Sequence, residues 1–299
     1  MIELNTISET HHGLGLPKPK HPLISITNQK DLDFSAFPEG TKVRSELYQI
    51  WLKEGSACQF GYGRNTYDFQ EGTLAFSKPG QVMTSNETFE KKDVEGFLLL
   101  FHPDLIRGSH LGKTIQEYTF FNYEVSEALH VSEEERRTLE LIIDQMNGEI
   151  DKRIDQHSQS LIVSSLELIL GYCRRFYDRQ FIVRSNLNKD LISSFERKLS
   201  EYYKEGRALE IGLPTVAYCA EELNMSPNYL SDLLKKETGH SALFHIQDFV
   251  INKAKNQLLA SNEPLKSIAY GLGFDYTQHF SNMFKKRTGM TPSEYRSVN

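Results

Sequence analysis

The 299-residue sequence is poor in cysteine: it has three, and none falls in a metal or disulfide spacing. Cys58, Cys173 and Cys219 are odd in number and far apart, which excludes a disulfide framework and predicts reduced, mostly buried thiols. A long apolar run is also missing. Phe97–Phe101, near the middle, is far short of the ~20 residues needed to cross a bilayer, so no membrane partner is expected. The first twenty residues are polar, contain Pro17 and Pro19, and lack the charged-then-apolar layout of a secretory signal; a cytoplasmic protein is expected. Nor is there an excess of positive charge, the net being −6. With 39% apolar and 25% charged residues, the chain has the composition of a folded protein rather than a disordered one. At ~100–200 residues per domain, its length suits about two domains.

The negative net charge conceals an asymmetry. Residues 185–299 carry 14 Lys and Arg against 13 Asp and Glu, whereas residues 1–184 carry 20 against 27. From Pro227 to the end there are nine basic and six acidic residues. Such a bias becomes a nucleic-acid signal only if the basic groups stand where phosphates lie; otherwise it is an ordinary mixed surface.

Residues 1–40 show little periodicity and read as an arm with one short strand at Leu23–Thr27. From 43 to 101, short apolar stretches alternate with turn signals such as Lys53-Glu-Gly-Ser56 and Lys78-Pro-Gly-Gln81. Five or more strands at this spacing predict an antiparallel barrel or sandwich. Cys58, Phe60 and Tyr62 form one apolar strand face, and Leu74–Phe76 and Phe97–Phe101 read as more fully buried strands. Ser132-Glu-Glu-Glu135 is a capping box opening a helix whose core residues are Leu139, Ile142, Ile143, Met146 and Ile150. A second helix runs from about His157 to Tyr177, with Leu161, Ile162, Leu166, Ile169, Leu170, Cys173 and Phe176 on one stripe. This helical pair, about 133–178, packs on the strands or forms a dimer seam. Arg184–Lys189 reads as a linker.

The remainder repeats itself. Cys219–Gly239 and Ile268–Gly289 are two versions of one unit. Ala220 and Ala269, like Asn224 and Gly273, are 49 residues apart; Leu230 and Phe280, Lys235 and Lys285, and Gly239 and Gly289 are 50 apart. One residue is therefore added in the second turn. Each copy has the parts of a helix-turn-helix. A small residue permits a close crossing, and Asn224 or Gly273 accepts a left-handed turn. Ser226 or Asp275 is placed to cap the second helix, which ends in Lys-Lys-x-Thr-Gly. The units span 215–239 and 265–289. Between them 241–260 reads as one helix with Leu243, Ile246, Val250, Ala254 and Leu258 on one face. Its ~30 Å length approaches the ~34 Å between successive major-groove faces of B-DNA.

At residues 190–299, and above all at Ile268-Ala-x-x-x-Gly-Phe and Phe280-Ser-x-x-Phe-Lys-Lys-x-Thr-Gly-x-Thr-Pro-Ser-x-Tyr-Arg296, the sequence resembles the AraC/XylS family of transcription regulators. The resemblance implies a sequence-specific DNA-binding regulator, not an enzyme, that binds double-stranded DNA, contacts RNA polymerase and forms a homodimer. The implied fold class is α+β multidomain. An arm (1–40) leads into an antiparallel β-barrel, cupin-like sensor or dimerisation domain (41–184). An all-α double helix-turn-helix domain (190–299) follows.

The resemblance implies base readout by Asn228, Ser231 and Asp232 in the first unit, and by Thr277, Gln278, His279 and Asn282 in the second. Gln278 and Asn282 suit adenine edges; Asp232 repels phosphate but accepts from cytosine N4, so the first unit is expected to bind less tightly. Lys235, Lys236, Lys285, Lys286 and Arg287 are the expected phosphate contacts, although lysines at a helix end also complement its dipole. Many relatives carry an Arg near the middle of the joining helix, where Val250 stands here. For a small-molecule effector the candidates are Arg44, Trp51, Gln59, Tyr62 and Arg64, and the arm is read as folding over that ligand or as disordered. Gly72, Phe76 and Pro79-Gly80 resemble the second cupin motif, yet the expected histidine falls near Met83 or Thr84. No His-x-His pair occurs between Gly55 and Phe101, so no metal and no cofactor is expected. The competing readings are a regulator without ligand, whose first domain only dimerises or binds a partner protein, and a cupin enzyme with a helical appendage.

Overall fold

The computed structural model describes residues 1–38, 40–53, 72–84, 95–124, 127–152, 157–183 and 185–298. The chain divides into two compact units, Met1–Gln180 and Phe181–Asn299. Among the described residues no helix is long and apolar enough to cross a membrane.

The first unit runs β1 (Ile2–Leu4), α1 (Ile7–Gly13), β2 (Ile24–Asn28), β3 (Lys42–Ser45), β4 (Tyr48–Lys53), β5 (Thr73–Ser77), β6 (Gln81–Thr84) and β7 (Gly96–Phe101). Short helices α2 (Pro103–Ile106) and α3 (His110–Thr114), the strand β8 (Leu129–His130), and the long helices α4 (Glu133–Ile150) and α5 (Ser158–Val183) follow. One antiparallel sheet has the order β2-β7-β4-β5-β8; a second has the order β1-β3-β6, with β1 parallel to β3.

Register explains the burial. Ile50 pairs with Phe76 on one side and Leu99 on the other, and Leu52 with Leu74 and Phe97, so the centre of one face of the larger sheet is apolar, with Asn28, opposite Phe97, at its edge. That face meets Phe120 and Tyr177, whose rings stack 5.4 Å apart, with Phe76 4.6 Å from Phe120. The other face is mixed. Its Leu98 and Leu100 join Leu4, Ile7, Leu14, Leu32, Phe37 and Leu47 in a core. Gln49 and Ser77 are neighbours on the same face. Strand β7 is therefore apolar on both sides, as its continuous run predicts. The sheet edge at β8 is closed by a side chain: buried Gln180 accepts from His130 N at 2.8 Å and donates to Ala128 O at 3.3 Å.

Several expectations change. Residues 1–40 are not an arm with one strand, because Leu4, Ile7 and Leu14 bury themselves in the core and carry a helix and two strands into the fold. Leu161 is exposed, because its neighbour Ile162 lies ~100° around the helix and shares the buried face with Leu166, Ile169, Leu170, Cys173 and Phe176. The stretch expected as a linker is helical from Ser185 onward. The capping box is present: Ser132 Oγ accepts from Glu135 N at 3.3 Å, and Glu135 Oε2 accepts from Ser132 N at 3.0 Å. The apolar strand face of Cys58, Phe60 and Tyr62 lies outside the described residues.

The second unit is all helical: α6 (Ser185–Lys204), α7 (Arg207–Ile211), α8 (Val216–Glu222), α9 (Pro227–Thr238), α10 (Ala242–Ala260), α11 (Leu265–Gly271), α12 (Thr277–Thr288) and α13 (Pro292–Val298). It has two cores strung along α10. Ala242 and Ile246 join Phe195, Leu199, Cys219, Ala220, Leu230 and Leu234. Val250, Ile251, Ala254 and Leu258 join Ile268, Ala269, Leu272, Phe274, Phe280 and Phe284. Leu243, expected on the buried face, is exposed; Ala242 takes that position, four residues before Ile246. Burial pushes the Cys219 thiol up to about 12, as expected of an inert thiol.

Candidate nucleic-acid interface

The two helix-turn-helix units repeat each other's backbone hydrogen bonds through the turn. In the first turn Leu223 N and Met225 N donate to Ala220 O at 3.1 and 2.9 Å, and Asn224 N donates to Glu221 O at 3.0 Å. In the second, Leu272 N and Phe274 N donate to Ala269 O at 3.2 and 3.0 Å, and Gly273 N donates to Tyr270 O at 2.9 Å. Asn224 and Gly273 occupy the left-handed turn position at φ 54° and 92°. Asparagine tolerates that conformation through its short polar side chain. Gly273 has a further reason: a Cβ there would stand 2.6 Å from the Gly212 backbone.

The helix ends match as well. Gly239 and Gly289, both left-handed, donate to Lys235 O and Lys285 O at 2.9 and 2.8 Å. The preceding threonines lock the turn: Thr238 Oγ1 donates to Leu234 O and accepts from His240 N, while Thr288 Oγ1 donates to Phe284 O and accepts from Met290 N. The Lys-Lys-x-Thr-Gly signature is thus a helix stop before it is anything else. The terminal Tyr-Arg is structural too. Tyr295 packs against Phe284, and Arg296 Nε donates to Leu258 O at 3.3 Å, near the end of α10.

One cap differs. Ser226 Oγ accepts from Tyr229 N at 3.2 Å, as expected. Asp275 does not cap α12; the N-cap is Tyr276, which supplies no side-chain acceptor. The residue added in the second turn precedes the cap, so the 50-residue register places Tyr276, not Asp275, opposite Ser226. Tyr276 is 65% exposed, beside His279, with ring centroids 5.3 Å apart. Sequence reasoning passed it over, although that register already singled it out.

The expected base readers stand at the solvent side of both second helices. Gln278, His279 and Asn282 are exposed, and Thr277 is half-buried at the first position of α12. Gln278 Nε2 donates to Asn282 Oδ1 at 3.1 Å, so the two amides form one unit one turn long. On α9, Asn228, Ser231 and Asp232 are half-buried, a more recessed face. Lys235, Lys236, Lys285 and Lys286 project into solvent. Arg287 is turned the other way. Its Nη2 donates to Phe244 O at 3.1 Å and Gln247 Oε1 at 2.9 Å. Val250, near the middle of α10, lies in the core.

The effector candidates are dispersed. Arg44 is exposed and paired with Glu46 at 3.0 Å and Glu3 at 4.0 Å. Trp51 is half-buried on the mixed face of the larger sheet, its Nε1 donating to Gln49 Oε1 at 3.1 Å. Gln59, Tyr62 and Arg64 lie outside the described residues.

Residues 219–297 match the family described as a helix-turn-helix domain. Over 82 residues the chain is 37% identical to the arabinose operon regulatory protein of Escherichia coli (strain K12), covering 27% of this chain and 28% of that one. Over 84 residues it is 37% identical to the HTH-type transcriptional regulator YobQ of Bacillus subtilis (strain 168), covering 28% and 35%. Against the HTH-type transcriptional regulator YijO of Escherichia coli (strain K12) it is 25% identical over 186 residues, 62% of each chain. Among solved structures, the C-terminal domain of AraT, a response regulator from Geobacillus stearothermophilus, shares 32% identity, 35% of this chain and 85% of that one, with a TM-score of 0.31. The matches at 37% identity span 28% and 35% of those relatives' own length. The C-terminal unit thus carries a helix-turn-helix domain like those of these regulators.

Proposed function

We propose that the protein is a sequence-specific DNA-binding transcription regulator, and not an enzyme. The observation that carries this is the duplicated turn, with its matching hydrogen bonds and a polar row early in each second helix, exposed on α12 and half-buried on α9. Gln278 and Asn282 read base edges, and the four exposed lysines hold phosphates without reading sequence. Selection of random duplex DNA by the full chain, followed by binding at several salt concentrations, tests the reading. One recurrent two-part site and a steep fall of affinity with salt are expected; enrichment of no sequence would overturn it.

The first unit serves as a cupin-like sensor for a small molecule. Support comes from the mixed sheet face, where the buried Thr27 and Ser77 hydroxyls have no hydrogen-bond partner among the described residues and Trp51 offers a ring. Trp51 is a better contact than Arg44, whose charge is already answered by two carboxylates. A ligand acts only by binding one arrangement of the molecule better than another. Thermal-shift screening of metabolites on the full chain tests this, since a ligand stabilises by RT ln(1 + [L]/Kd).

A second reading, in which the first unit only dimerises, is favoured by exposed Leu141, Leu161 and Leu168 on α4 and α5. Light scattering of the chain separates the two: a dimer without ligand and no ligand in the screen support it. A cytoplasmic setting and contact with RNA polymerase belong to the same proposal.

A further inference from the structure

We propose that Arg287 is a positioning residue that clamps the end of α12 to the first half of α10 and so fixes the spacing and rotation of the two reading helices. This rests on the DNA-reading proposal and says how its geometry is held.

The two cores of the second unit divide the buried residues of α10 between them, up to Ile246 for the first and from Val250 for the second, with the half-buried Phe249 packed against the first. Arg287 belongs to the second reader, yet its partners Phe244 and Gln247 lie at or before that seam. The guanidinium carbon sits 3.9 Å from the Phe244 ring centroid. The His240 ring, from just beyond the first reader, stacks on the same ring at 3.8 Å and 8°. Two groups this near one centroid must occupy opposite faces. The result is a three-layer stack, His240, Phe244 and Arg287, that joins the tail of each reader to the connecting helix.

The opposite end of the second reader is pinned separately. Tyr203 Oη donates to Leu272 O at 3.1 Å, and Gly273 lies against the Gly212 backbone. A helix held only near its start can swing; a second fixed point near its end sets its axis. Only a guanidinium fits this role, because the flat group stacks while its N–H groups reach two acceptors, which an ammonium on a flexible stem does not reproduce. Lys285 and Lys286, one and two residues earlier, keep their charges in solvent.

The test uses the full chain, its selected site, and versions of that site with one base pair inserted or removed between the half-sites. Each such change rotates one half-site by ~35° and shifts it by ~3.4 Å. Wild type should lose about tenfold on respacing, a cost of the size of one mismatch. Arg287→Lys and Arg287→Ala should both bind the best-spaced site several-fold more weakly, lose less than about threefold on respacing, and keep the wild-type salt slope. A phosphate contact predicts the reverse: Arg287→Lys like wild type, and Arg287→Ala with a slope shallower by ~0.9 and unchanged spacing preference. That result overturns the clamp.

A second readout needs no DNA. Spin labels carried on ketone amino acids at positions 236 and 286 report the distance between the helix ends. Both Arg287 variants should broaden that distribution, and Gln247→Ala should do so more weakly. An unchanged distribution overturns the clamp, whereas a broadened one in a chain that selects no duplex keeps it and removes the DNA reading.

Discussion

Gly273 and Asn224 occupy equivalent turn positions but are not equally replaceable. Gly273→Ala adds a Cβ into the Gly212 backbone at a φ of 92°, so it should cost about 2–3 kcal/mol and lower Tm by several degrees. Asn224→Gly should change stability by less than about 1 kcal/mol. Calorimetry of the two variants checks both. Under the DNA-reading proposal, Gln278→Ala should lose about 1–3 kcal/mol at one base position and relax its preference there, in gel shifts against a panel of single-base variants. Lys285→Ala should weaken every sequence alike and reduce the salt slope by ~0.9. These exposed residues were legible from the chain because helical spacing fixes which positions share a face. Arg287 was not: sequence places it beside two lysines, and only the fold turns it back onto Phe244.

At the scale of the element, α12 begins without a side-chain cap. A serine at the N-cap is worth about 1 kcal/mol over a residue that cannot accept, so Tyr276→Ser should raise the melting temperature. Under the DNA-reading proposal the same change should weaken DNA binding, because an exposed aromatic beside His279 is lost; a binding titration beside the melt checks this. A gain in both would remove Tyr276 from the interface. The cap was misread because the added residue made Asp275, a good capping type, look like the partner of Ser226. Elsewhere local pattern sufficed: the Ser132 capping box, the stop at each Thr-Gly, and most of the buried stripe of α5 were visible in the sequence. Residues 1–40 were not, since Leu4, Ile7 and Leu14 find partners more than thirty residues away, such as Leu47 and Leu98, and no short window reports that.

Across the whole molecule, pH acts on both units in the same direction. Burial holds His21 in the first unit and His245 in the second below the usual 6.5, with the charge of His240 adding to the effect at His245. An unfolded chain takes up those protons near 6.5 before the folded one does. Stability is therefore full above that pH and falls as the medium is acidified toward the folded values. Melting temperatures should drop between about pH 7 and about pH 5, and His245→Gln should flatten that slope for the second unit alone.

The rod shared by the two bundles of the second unit carries a consequence for how such a protein can change over generations. One codon gained between Ile246 and Val250 would swing everything after it through ~100° while advancing it only ~1.5 Å. Restoring the former bearing takes about seven extra residues, nearly two turns, and leaves the bundles ~10 Å farther apart. Drift can therefore retune this joint by exchanging side chains, but its length advances only by leaps.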